Sequence, residues 1–486
     1  MSSAEATVES PFGSAPATSR RFPAHDTITF GRTSTAAPLK GHCRLTHTLP
    51  LSPKQHRWLL AVVSMALLAW LSPIYLAAGQ RAIAHPDSTD FYKFFLSAQR
   101  LKNGQSMYWL VPPRQHLGDT CHPSTPTEQA RRQDNGNIPA GLLLDLDDPC
   151  LGPNLNPPIF MLLVRPLAVM SFEQAWWTWA AASLACGVLG LALLMRTLVM
   201  DAGLRPLATL AGSTALFLYY PTLANASLGQ VGTLLLPLLV LAWRAMRCND
   251  ALWAGLWLGL AVSFKPFLAI LWLGLLPQQQ LRTFAATGLT VVVLGLISWA
   301  VFGTDMHRHY LLLVSDVTWN GANWNAAWAG MTERFFSGQA DSVLPQGSVQ
   351  ARVWAACLSM LTLAGVAWRV HKTDHSTQQD ADVLMALGLP TALLVSPLGW
   401  AYYFPILVLP WAILWQRTAT LSAARPWRMG LLLPLALSMA TIVMRSSPRP
   451  ETPTVWWGID SIYCYALLGL LVLGLTAFRP LAPLRK

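Results

Sequence analysis

"WLLAVVSMALLAWLSPIYLAAGQ", residues 58–80, runs for 23 residues without a charged side chain. An α-helix needs about 20 mainly apolar residues to cross the hydrocarbon core of a bilayer. Similar runs recur at about 174–199, 204–222, 228–246, 250–264, 266–279, 283–303, 351–370, 382–396, 402–416, 428–445 and 459–478. The whole chain of 486 residues is 53% hydrophobic, only 12% charged, and contains 22 tryptophans. Soluble domains carry about 25% charged residues, so the pattern describes an all-α polytopic membrane protein with about 12 transmembrane helices.

The net charge of +11 is dispersed in short segments between apolar runs, which excludes a nucleic-acid patch and instead sets orientation. Arg196 and Arg205, Arg244 and Arg247, Arg282, Arg369 and Lys372, Arg417 to Arg428, and Arg479, Arg485 and Lys486 all fall on one side if runs alternate. That side is cytoplasmic by the positive-inside rule, and both termini lie there. Residues 1–56, rich in Ser, Thr, Pro and Ala and without periodicity, form a disordered cytoplasmic tail. The membrane domain spans 57–480, and residues 481–486 form a C-terminal cytoplasmic tail. "NPPIFMLLVRPLAVM", 156–170, is apolar but short and Pro-interrupted, and a full crossing there would invert everything downstream. It is expected to be a re-entrant or interfacial helix.

Two long extracytoplasmic loops follow, 81–157 and 304–350. In the first, Phe91, Phe94, Phe95, Ala98 and Leu101 recur at helical spacing, which predicts an amphipathic helix on the membrane surface that ends at Gly104. Cys121 and Cys150 share this loop; a disulfide in an oxidising compartment and two free thiols both remain open. "DLDD", 145–148, lacks the further oxygen ligands that a hard cation needs. The histidines at 85, 116, 122, 307 and 309 lack zinc-like spacing, so no metal site is expected. No nucleotide-binding glycine loop is present.

Polar residues gather toward one face of this topology: Asp87 and Asp90 after the first run, Asn156 before the proline pair, Gln230 in "LGQVG", Lys265 in "SFKPF", and the turn "SPLGWAYY" at 396–403. With "DFYKFFLSAQRLKNGQSMY", "NPPIFMLLVRPLAVM", "LGQVGTLLLPLLVLAWRAM", "AGLWLGLAVSFKPF", "WNAAWAGMTERFF" and "SPLGWAYYF" in this order, the chain resembles glycosyltransferase family 87. These are C-type membrane enzymes that include polyprenyl-phosphomannose-dependent mannosyltransferases. The resemblance covers about 80–415.

It implies a C-type helical bundle in the plasma (inner) membrane, with an extracytoplasmic active site and no cofactor. Its donor would be a polyprenyl-phosphate sugar and its acceptor a lipid or glycan. Asp90 matches the family's first-loop aspartate and would be the general base; Lys265 matches its intramembrane lysine and would stabilise the departing phosphate. Arg334, Tyr402 and Tyr403 would contact donor phosphate or lipid, and Asp87, Asn156, Gln230, Asn325 and Trp400 would contact substrate. A single carboxylate opposite the leaving group implies inversion.

Two departures stand out. Tyr402 and Tyr403 occupy positions where the family carries histidines, and Ala326 and Ala327 follow Asn325 where it carries polar residues. Simpler roles compete at each position: Asp90 as a helix cap, Lys265 as a snorkelling side chain, Gln230 and Asn156 as helix-end residues. Other function classes also compete. A transporter or flippase shares the Pro-broken spans, although it would place its polar residues at mid-membrane in paired halves. A polysaccharide ligase or polymerase would want a large late loop, where only Arg445 and Arg449 stand.

Overall fold

A computed structural model describes residues 52–108, 154–315, 321–337, 348–372, 377–419, 424–441 and 459–478. Among these residues the secondary structure is helical, joined by one isolated β-bridge. Cys121, Cys150, "DLDD", His116, His122 and most of both tails lie outside the described residues.

Helix α1 (Pro53–Ala84) starts with a capping box between Ser52 and Gln55 and Pro53 in its first turn. Its start lies inside the segment expected to be tail. The predicted amphipathic helix is α2 (Asp90–Lys102), after which Gly104 turns the chain at φ 73. Pro158–Val169 forms a short broken helix. The chain continues through α3 (Phe172–Leu198), α4 (Arg205–Leu218), α5 (Tyr220–Leu228), α6 (Gly232–Arg247), α7 (Ala251–Phe264) and α8 (Ala269–Gly274). Then come α9 (Leu281–Ser315), α10 (Trp328–Ser337), α11 (Val349–His371), α12 (Thr377–Val395), α13 (Val408–Thr418), α14 (Ala424–Ser438) and α15 (Ile462–Ala477).

Four helices, α1, α3, α9 and α11, are long and apolar enough to cross a membrane, and α5 with α6 makes a fifth if that pair, bent by 116°, counts as one span. Several other expected spans are shorter or broken. The run at 204–222 divides at Tyr219, where the backbone leaves the helical region. The run at 402–416 begins as a 3-10 turn, Ala401–Leu407, containing Pro405. The spanning helices expose Trp58, Val62, Trp70, Leu289, Val292, Trp354 and Leu361, as lipid-facing surfaces do. This is a multi-pass membrane protein.

Packing explains the register of the interior. Gly255 and Gly259 of α7 face α9 so closely that a Cβ at Gly255 would lie 2.4 Å from that of Ala286. Small residues four apart let two helices approach in this way. Helix α12 is largely enclosed, with Val383, Met385, Ala386, Leu387, Leu389 and Leu393 buried.

The apolar face of α2 corrects the surface-helix expectation. Phe91, Phe94 and Phe95 are buried. Phe94 packs edge-on against Phe160, and Phe91 stacks on Trp179 and meets Trp176. Amphipathic spacing shows that one face is covered; here the cover is the protein itself.

Candidate functional site

Asp90 is the first residue of α2. The cap is Thr89, whose hydroxyl accepts from the Tyr92 N–H at 3.2 Å, so the Asp90 carboxylate faces elsewhere. Its Oδ1 accepts from Lys93 Nζ at 2.7 Å and its Oδ2 from Gln230 Nε2 at 2.6 Å. Burial pushes the carboxyl pKa up, but the Lys93 ammonium and the two hydrogen bonds outweigh it and hold it below the ordinary value.

Gln230 arrives from a different part of the fold. Helix α5 ends at Gly229, in the left-handed region at φ 66, and the chain turns there into α6. A Cβ at Gly229 would lie 2.4 Å from that of Phe91. Gly229 therefore allows both the turn and the close approach that sets Gln230 against Asp90. A buried chain of hydrogen bonds braces this corner: Ser183 pairs with Thr233, Thr233 donates to Asn225 Oδ1, and Asn225 Nδ2 donates to the Tyr402 carbonyl.

Lys265 follows α7, where Pro266 blocks continuation of the helix. The carbonyl end of that helix favours a cation. The ammonium is buried and donates to Asn156 Oδ1 and to Tyr403 Oη, both at 2.6 Å. It also lies 4.9 Å from the centre of the Tyr403 ring. Asp90 is within electrostatic reach, yet among the described residues no ion pair joins the two. Asn156 is fixed in turn: its amide N–H and Nδ2 both donate to Asn154 Oδ1, and Tyr108 donates to its carbonyl at 2.6 Å.

Trp400, Tyr402 and Tyr403 complete one wall. Tyr402 stacks on Trp400 at 5.8 Å and touches Tyr403 edge-on. Where the family pattern has histidine, Tyr403 thus offers Lys265 an oxygen and a ring face.

The other predicted residues take different places, with Asn325 bridged to Trp400. Asp87 sits on an exposed 3-10 turn. Asn325 is fully buried; its Oδ1 accepts from the Ala327 and Gly399 N–H groups, and its Nδ2 donates to the Pro397 carbonyl. Arg334 is buried and donates to the Gly321, Ala322 and Asn325 carbonyls and to Ser461 Oγ. Burial pushes its pKa down to about 10. Asn325 ties the loop before α10 to the Trp400 turn, and Arg334 ties the same loop to Ser461 at the start of α15. His307 pairs with Ser298 and the Gly303 carbonyl, and His309 with Ser106. Among the described residues no three His, Cys, Asp or Glu side chains converge as a metal site would require.

Lys93, Asn154 and Tyr108 were not singled out from the sequence. Lys93 carried a signal, since an acid and a base three apart on a helix are neighbours. Tyr108 acts on a residue 48 positions away and carried none; Asn154 acts on Asn156 two residues on, a local pairing that its sequence does not distinguish from an ordinary loop.

Two apolar clefts flank α1 beside this site. One, of about 400 Å³, is lined by Leu71, Tyr75, Trp176, Trp179 and Gly229. The other, of about 650 Å³, is lined by Pro73, Arg81, Ser88, Leu228 and Trp324.

The fold and site thus define a helical membrane protein with a carboxylate, a buried ammonium and two apolar clefts in one region. Residues 154–397 match glycosyltransferase family 87, and the chain belongs to that family. The match includes Asn156, Gln230, Lys265, Asn325 and Arg334 and stops short of Asp90 and Trp400. Among characterised proteins the chain is similar to the polyprenol-phosphate-mannose-dependent alpha-(1-2)-phosphatidylinositol mannoside mannosyltransferase of Mycolicibacterium smegmatis. It is 26% identical to that enzyme over 274 residues, which cover 53% of this chain and 58% of the relative. The chain thus spans a little over half the length of the relative it matches. No solved structure matches the chain.

Proposed function

We propose that this protein is a membrane glycosyltransferase that moves a hexose, mannose or a close relative, from a polyprenyl-phosphate donor to a hydroxyl of a lipid or glycan acceptor. The reaction takes place on the extracytoplasmic side of the plasma (inner) membrane. The observation that carries this reading is that Asp90 and Lys265, a carboxylate and a buried ammonium from distant segments, lie within electrostatic reach of each other beside clefts lined by apolar side chains.

In the proposed reaction the acceptor hydroxyl gives its proton to Asp90 as its oxygen attacks the anomeric carbon. The bond from that carbon to the phosphate oxygen breaks on the opposite face, and its electron pair goes to the phosphate. Lys265 stabilises that developing charge, so the products are the inverted glycoside and free polyprenyl phosphate. Asn156 and Tyr403 position Lys265. Trp400 and Tyr402 supply an aromatic wall for a sugar ring or isoprenoid, and the clefts beside α1 take the lipid chains.

The test uses purified protein in lipid nanodiscs with radiolabelled polyprenyl-phosphate mannose. Asp90→Asn is expected to lower transfer by about 10²–10⁴-fold, the usual contribution of a general base, in a protein that still folds. Wild-type rates in Asp90→Asn would remove the base assignment. Movement of a solute by proteoliposomes, with no transfer from any lipid-linked sugar, would favour a transporter instead.

A further inference from the structure

Gln230 holds one more piece of chemistry. Its Nε2 donates to Asp90 Oδ2, which fixes the amide orientation, because the reversed amide would set an oxygen against a carboxylate. Its Oε1 therefore points away from Asp90. That oxygen is buried, in a side chain only 4% exposed, and among the described residues it has no hydrogen-bond partner. Nearly all buried polar atoms in native proteins are paired, so an orphaned acceptor beside a candidate base calls for a donor from outside the chain.

One amide group separates this oxygen from the carboxylate. Two acceptors so closely linked match two hydroxyls on adjacent carbons. We propose that Gln230 is a specificity-determining residue for the acceptor. The attacking hydroxyl donates to Asp90 while the hydroxyl on the neighbouring carbon donates to Gln230 Oε1. The acceptor is then a vicinal diol on a sugar or polyol ring, and an isolated alcohol is a poor substitute. Asp90 faces the acceptor in the proposed reaction, so a group tied to Asp90 faces the acceptor too. This inference rests on the proposed glycosyl transfer and adds the feature of the acceptor that is read.

The experiment measures transfer from polyprenyl-phosphate mannose to methyl α-D-mannopyranoside and to its monodeoxy analogues, with the product linkage mapped to identify the attacked hydroxyl. Wild-type kcat/KM is expected to fall by at least about tenfold for the analogue lacking the neighbouring hydroxyl, because that analogue leaves Oε1 unpaired. Gln230→Met should bring the ratio close to one, mainly by raising KM for the parent sugar. Gln230→Glu keeps an acceptor oxygen and should retain the discrimination, while its second carboxylate beside Asp90 lowers kcat and moves the acid limb of the pH profile upward.

A wild-type enzyme that transfers but does not discriminate would overturn the inference. So would a Gln230→Met variant that slows parent and analogue equally, the result of a residue that only positions Asp90. Should Gln230→Met fail to fold, the wild-type ratio and Gln230→Glu still decide. Absence of transfer to every acceptor by wild type would instead overturn the proposed function.

Discussion

Asp90 is kept ionised by Lys93 on one oxygen and Gln230 on the other. A carboxyl whose folded pKa lies below its unfolded value contributes stability above the unfolded value, and the contribution is lost as pH falls through the folded one. In the proposed reaction the same sign applies to activity, since a carboxylate acting as base works only when deprotonated. Transfer should therefore persist through mildly acid pH and fall only below the usual carboxylate range. Lys93→Met removes the main opposing influence on a partly buried carboxyl, so its pH–rate profile should lose activity at a higher pH than wild type, with the alkaline side unmoved. An unchanged acid limb would mean that Lys93 is a surface ion pair without effect. Asp90, Gln230 and Lys265 were legible as residues because a charge or amide set into apolar sequence is conspicuous. Lys93 was passed over because a lysine on a half-exposed helix looks ordinary.

Helices were legible as periodicity and hydropathy, and their bends were not. Hydropathy counts composition, so one apolar run from 204 to 222 conceals the break at Tyr219, and another from 402 conceals a 3-10 turn. Likewise the spacing of Phe91, Phe94 and Phe95 marks a buried face without naming what buries it. The contact of α2 with the α5–α6 corner depends on Gly229. Gly229→Ala adds a side chain at positive φ and against Phe91. It is expected to destabilise the protein by at least about 1–3 kcal/mol and to reduce transfer by displacing Gln230, read out by thermal unfolding and turnover on the same preparation. A variant with wild-type melting and turnover would show that the corner tolerates a shift.

At the scale of the molecule, the order of apolar runs and the placement of Lys and Arg pointed to a membrane class and an orientation, while the number of crossings is set by bends and short helices that composition does not reveal. The orientation can be tested with Cys248, exposed just after α6, and with Ser88→Cys, placed beside α2. In intact cells an impermeant maleimide should label the thiol introduced by Ser88→Cys and leave Cys248 unlabelled until the membrane is permeabilised. Labelling of both, or the reverse order, would invert the topology. Long-range ties also belong to this scale. Arg334→Met would strip partners from several buried carbonyls of the loop before α10, at about 1–3 kcal/mol for each group left unpaired. Both melting temperature and transfer should drop, and the loss of melting temperature should be larger than in Asp90→Asn.

In the proposed reaction Lys265, paired with two neutral oxygens, takes a phosphate ligand, and that ligand would become part of the folding equilibrium. A buried cation without a contacting counter-ion is a standing destabilisation, and a phosphate-bearing lipid that binds only the native state relieves it. Polyprenyl phosphate at about 100 times its Kd would add about 2.7 kcal/mol of stability, seen as a higher melting temperature in wild type. Lys265→Met removes the buried charge but leaves Asn156 Oδ1 and Tyr403 Oη without their donor, so its resting stability is set by two opposing effects, whereas its thermal response to the lipid phosphate should be lost.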